Sequence, residues 1–165
     1  MGIEEKVPSG FLLTSVETLA GFWIRLASAL IDGILLGIIA SLLSAIVGFD
    51  RPFGGGNLMF NSSNGLQTIL GAIYFTYFHG TPAGQTIGNR MMGIRVLDAD
   101  NGGPIPYSRA LIRYLMSLVS AFALLIGYLW MLGDARKQTW HDKVANTLVV
   151  RASAYPPPEF GRPAR

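Results

Sequence analysis

Apolar residues gather in three segments of this chain, 23–48, 66–79 and 110–132, with polar, glycine-rich or proline-rich sequence between them. The first is the strongest. From Leu26 to Phe49 its only charge is Asp32, and Arg25 stands at its head. Roughly 20 apolar residues in a helix cross the hydrocarbon of a bilayer, so this run predicts a transmembrane helix. Phe22 and Trp23 precede it, within an interfacial approach over residues 10–24. Asp50-Arg51-Pro52, the glycines 54–56 and the Asn/Ser cluster 61–64 predict a loop over 50–64. The second segment, about 21 Å long as a helix, crosses only if its polar flanks are drawn in or the bilayer thins.

Beyond it the pattern changes. Gly80, Gly84 and Gly88 recur at every fourth position and predict a short helix lying close against a neighbour. Residues 92–98 alternate as a strand, and Asp98 to Pro104 is a dense turn signal, with a return strand expected over 104–108. Asn146–Arg151 is a second β-branched run. Between these strands lies the third apolar segment, interrupted by Arg113. Read as a single crossing, it places two basic stretches on opposite sides of the membrane and separates strands that need partners. Read as a hairpin, with a helix over 109–120 and a returning arm over 122–132, it avoids both conflicts, and we favour it. Both termini then lie on the cytoplasmic side.

Composition supports the membrane reading. Charged residues make up 14% of the chain, against about 25% in a soluble domain. Cysteine is absent, which excludes disulfides and thiolate sites. Glu4, Glu5 and Glu17 interrupt the N-terminal stretch, so it does not read as a cleaved signal peptide. The expected organisation is an interfacial segment over 1–19, a membrane domain over 20–152 and a proline-rich disordered tail over 153–165. The fold class is an all-α membrane protein with two transmembrane helices, the third apolar segment and a small cytoplasmic β element.

Ionisable groups inside a membrane segment are costly and mark functional sites by default. Arg25 and Asp32 lie about two turns apart on one helix face, too far for a direct bond, so each needs a partner elsewhere. The same helix carries Ala29, Gly33, Gly37, Ser41 and Ala45 at every fourth position, a helix-packing stripe. Asp142 stands among Arg136, Lys137, Trp140 and Lys143, in a stretch that otherwise suits interfacial anchoring. An acid gains nothing there from anionic lipid, so Asp142 is expected to pair with Arg25. Gly84–Gly88 lacks the lysine of a phosphate loop. No histidine spacing supports a metal, and no serine sits in a nucleophile elbow.

These blocks together resemble the RDD family of prokaryotic membrane proteins. The resemblance runs from AGFWIRLASALIDGILL through GTPAGQTIGNRMMGIRVLDADNGGPIPYSRALIR to RKQTWHDKVANTLVVR. The Arg and two Asp residues that give the family its name fall on Arg25, Asp32 and Asp142. Two positions depart from the family pattern: Asn89 where a lysine is usual, and Asn146 where a glycine is usual. Asn tolerates the left-handed backbone that glycine allows, so the turn at 146 is expected to survive. The resemblance implies a transport-related protein of the cell membrane, multi-pass, and in one version cation- or proton-linked. In that reading Asp32 is the titrating or ion-binding acid, Arg25 its electrostatic modulator and Asp142 a gate or structural pair. The alternative is a non-transporting scaffold or accessory subunit in which the charges lock the fold. Membrane lipid and a second copy or partner membrane protein are the expected partners. No enzymatic activity, cofactor, metal or nucleic acid is expected.

Overall fold

The computed structural model describes residues 18–47, 62–122 and 126–155. Helix α1 (Phe22–Val47) carries two stripes of opposite character. Ser28, Asp32, Leu36, Ala40 and Ser44, at every fourth position, are all buried. Leu30, Ile34, Ile38, Leu42 and Ile46 follow the same spacing on another face and are 55% to 80% exposed. A helix on a water-soluble domain turns its aliphatic face inward; this one turns it out. By length and composition α1 is able to cross a membrane over Phe22–Ile46.

Helix α2 (Ser62–Gly80) packs against α1, and helix α4 (Tyr107–Phe122) packs against α2. Both also expose apolar side chains, Ile69, Ile73 and Tyr77 on α2 and Leu111, Leu115 and Val119 on α4. Between them the short helix α3 (Ile87–Met91) leads into strand β1 (Ile94–Asp98).

β1 pairs antiparallel with β2 (Thr147–Arg151), Ile94 opposite Arg151 and Asp98 opposite Thr147. The chain between them therefore leaves one small sheet and returns to it. α4 leads away; α5 (Ile126–Leu129) and a 3-10 turn at Trp130–Leu132 lead back towards α6 (Trp140–Val144). This is the geometry of a hairpin. Both faces of the sheet are covered. Leu19, Leu97, Ala99, Leu148 and Val150 form one cluster, and Ala20, Ile94, Val96, Ile105, Ala110 and Val149 the other. Burial of this kind is what a two-stranded ribbon needs to persist.

One expectation is corrected here. Residues 104–108 do not form the return strand: β1 takes β2 as its partner, and Tyr107 already opens α4. Pro104 and Pro106 have no amide proton to give a ladder, which disfavours pairing there. The approach to α1 includes extended backbone joined to the sheet. Leu19 bridges Val150, and the Ala20 amide donates to the Val149 carbonyl at 2.9 Å. Residues 1–17, most of the expected loop over 50–64, and the tail from 156 lie outside the described residues.

Candidate functional site

Asp32 is 1% exposed, and neutral donors surround its carboxylate. Tyr74 Oη on α2 donates to Oδ1 at 2.7 Å, the Gly88 amide donates to Oδ1 at 2.8 Å, and Thr86 Oγ1 donates to Oδ2 at 2.6 Å. Local sequence builds this cradle. Thr86 caps α3, its oxygen accepting the Asn89 amide at 3.1 Å while its proton goes to Asp32. Gly88 lies so close to α1 that a Cβ would run into the Ser28 carbonyl and the Asp32 carboxylate. The expected helix through Gly80, Gly84 and Gly88 is therefore corrected: only Gly88 lies in α3. Gly84, with φ +60°, turns the chain so that its carbonyl accepts the Val96 amide at 2.8 Å.

Beside this cradle, Asn89 joins two helices. Its Oδ1 accepts from Ser28 Oγ at 2.7 Å, and its Nδ2 lies 3.3 Å from His79 Nε2 at the end of α2.

Asp142 is the second buried acid, 0% exposed, and two guanidiniums hold it. Arg25 Nη1 donates to Oδ2 at 2.5 Å, and Arg113 Nη1 donates to Oδ1. The Thr139 amide also donates to Oδ2, at 3.1 Å, closing a capping box at the start of α6. Arg25 gives its other protons to the Ala20 and Lys137 carbonyls at 3.1 and 2.8 Å. Arg113 Nη1 also reaches Thr147 Oγ1 at 2.8 Å. One carboxylate thus ties α1, α4, α6 and β2 together. Burial alone pushes the Asp142 carboxyl up, but the Arg113 and Arg25 charges outweigh it and hold it well below the usual carboxylate range.

His141, next in sequence and also buried, behaves differently. Burial is the largest effect and lowers its pKa to about 3, so the ring is neutral near pH 7. Its Nε2 is 3.9 Å from Asp142 Oδ1, beyond hydrogen-bond length, and its Nδ1 has no partner among the described residues.

α1 and α4 both lean on α2 and far less on each other. The gap between them is a cleft of about 720 Å³. Arg25, Asp32, His79, Asn89, Arg113 and His141 line it beside the apolar Leu36, Phe75 and Leu118. The volume falls within the range of small-molecule sites.

The sequence-derived site residues separate into two groups. Arg25 and Asp142 meet directly, as expected from the mismatch between an acid and an anionic interface. Asp32 belongs to a different cradle, made by α2 and α3. Of the small-residue stripe, Ala29, Gly33, Ser41 and Ala45 are exposed and Gly37 is half-buried. Contacts within the chain use the adjacent stripe, where the Asp32 carboxylate and the Ser28 hydroxyl find buried partners. Arg113, Tyr74, Thr86 and Gly88 were not singled out as site residues. Arg113 had a signal of the same kind as Asp32, a lone charge in an apolar segment. The Asn146 backbone is left-handed, φ 51°, as expected for a residue in a glycine position.

The RDD family model matches residues 19–146, a span that includes Asp32, Asp142, both arginines and β1, and ends just before β2. The chain belongs to the RDD family. Among its relatives, a proline-rich antigen homolog of Mycobacterium tuberculosis is 32% identical over 88 residues, covering 52% of this chain and 37% of the relative. The proline-rich antigen of Mycobacterium leprae is 30% identical over 103 residues, covering 61% and 40%. The uncharacterized membrane protein YteJ of Bacillus subtilis is 26% identical over 142 residues, covering 82% and 83%. The chain thus spans well under half the length of the two antigens it matches. No solved structure matches it. Family membership and the outward-facing aliphatic surface of α1 make this an RDD-family membrane protein.

Proposed function

We propose that this RDD protein is transport-related and handles a small ligand in the cleft between α1, α2 and α4. The observation that carries the reading is the cleft itself, about 720 Å³, with charged and imidazole side chains at one end and apolar side chains along its walls. In the cation- or proton-linked form of this reading, Asp32 is the titrating acid. Oδ1 accepts two hydrogen bonds and Oδ2 one, so a proton adds at the remaining acceptor site of Oδ2, beside the Thr86 hydroxyl. Thr86 and Gly88 belong to the turn that opens α3, so the charge on Asp32 sets how tightly that turn is held against α1. So few helices do not enclose a pathway alone, and a second copy or a partner membrane protein would complete it. The N-terminus and sheet are taken as cytoplasmic.

One observation favours a second reading, a non-transporting scaffold or accessory subunit. The two buried acids have all their oxygens engaged by donors within the chain, as in a lock. Na⁺- or K⁺-triggered proton movement in everted vesicles separates the two, comparing wild type with Asp32→Asn at matched expression. Flux that disappears in the variant supports the linked transporter. Folded wild type with no flux above empty vesicles, and a variant that loses only stability, supports the scaffold.

A further inference from the structure

The mouth of the cleft opens sideways. Ala29 and Gly33 on α1 and Ala121 on α4 line it and are exposed, and they sit among the outward-facing Leu30, Ile34, Leu115 and Val119. A molecule reaching the cleft this way comes from the bilayer. At the sheet end the charges are uneven: Arg25 and Arg113 share the single carboxylate of Asp142. Asp32 does not redress this, being about two turns further along α1 and bonded to hydroxyl and amide donors. Two guanidiniums to one carboxylate in a low-dielectric setting favour an additional anion. From Arg25 to Leu36 the cleft wall on α1 rises about 16 Å, close to the roughly 15 Å depth of one leaflet of hydrocarbon.

We propose that the cleft binds an anionic amphiphile, its headgroup at the Arg25–Arg113 end and its acyl chain along Leu36, Phe75 and Leu118. The inference rests on the cleft reading above and names the class of its ligand. The carboxylate or phosphate of the headgroup supplies the missing negative charge. The chain lies where α1 and α4 fail to meet.

Three radiolabelled probes test this on the full-length protein in neutral detergent: a long-chain fatty acid, the matching fatty alcohol, and inorganic phosphate. The expected result is saturable binding of the acid, with the alcohol weaker by about tenfold, since one charge-assisted contact is worth about that factor. Phosphate alone neither binds nor competes. Because Arg113 also holds Asp142, the site is blocked instead with Ala29→Leu and Ala121→Leu. These fill the mouth without touching a charge, and each should weaken acid binding at least tenfold while the melting temperature stays put. Equal binding of acid and alcohol, saturation by phosphate alone, or unchanged binding in folded Ala29→Leu would each overturn the proposal. If the acid does not bind while cation-triggered proton movement persists, this inference falls and the transport reading stands. If both fail, both readings of the cleft fall.

Discussion

Arg25 and Asp142, 117 positions apart in sequence, are joined by a hydrogen bond of 2.5 Å. The contact fastens the head of the apolar helix to the segment that follows the third apolar region. Arg113 approaches the same carboxylate from α4, so the buried cluster is a three-way joint between helices and sheet.

Replacing Asp142 by Asn leaves two buried guanidiniums with no carboxylate. Breaking a buried pair by removing one partner costs about 3–5 kcal/mol. Asp142→Asn should therefore lower the thermal midpoint in detergent severely, and thermal unfolding followed by circular dichroism checks it. A variant that melts with wild type would show that the joint contributes nothing.

Asp32→Asn should act more mildly. It swaps one acceptor oxygen for an amide that has no acceptor waiting, a cost of roughly 1–3 kcal/mol. The damage should be local, seen as faster hydrogen exchange of the amides at 86–91. Gly88→Ala should loosen the same residues by steric conflict with Ser28 and Asp32. Unchanged exchange in both variants would argue against the cradle.

Stability should fall with acid in two stages. The His141 ring is neutral in the fold, with a pKa of about 3, against an ordinary histidine value of 6.5. Between those values the unfolded chain binds the extra proton, so stability rises with pH across the window and is lost as pH drops below about 6.5. Asp142 adds a second loss below the ordinary aspartate value of 3.8, because its folded pKa is depressed. The slope of unfolding free energy measured from pH 8 to pH 4 should become shallower in His141→Gln. An unchanged slope would mean that His141 is not buried neutral.

At Asn146 the left-handed backbone decides which substitutions are tolerated. Asn146→Gly should cost little beyond the lost contact with Asp100. Asn146→Val should cost about 1–2 kcal/mol more, since a β-branched side chain resists that conformation. Comparing the two melting temperatures tests it.

How much of this was legible in the sequence depended on the kind of signal. Asp32 and Asp142 stood out because each was the wrong charge for its neighbourhood, and the Arg25–Asp142 pair followed from that mismatch. The pairing of β1 with β2 was legible only in part. Two β-branched runs each needed a partner, but the turn signal after Asp98 also pointed to a return strand at 104–108, where Pro104 and Pro106 lack the amide protons a ladder needs. The cradle of Asp32 was not legible. A hydroxyl, a phenol and a glycine amide carry no charge or periodicity, and only the approach of α3 to α1 makes them donors. The buried stripe of α1 was missed because Ser28 and Ser44 look unremarkable beside a more regular row of glycines and alanines. Once Asp32 faces inward, the residues at every fourth position from it must face inward too.

The most direct test of the joint is a double-mutant cycle of Arg25→Gln and Asp142→Asn, with unfolding free energies measured for wild type, both single variants and the double variant. Residues in direct buried contact should show a coupling of about 0.5–3 kcal/mol, the double variant being less damaged than the sum of the singles. Losses that simply add would contradict the joint, and with it the placement of Arg25 at the charged end of the cleft.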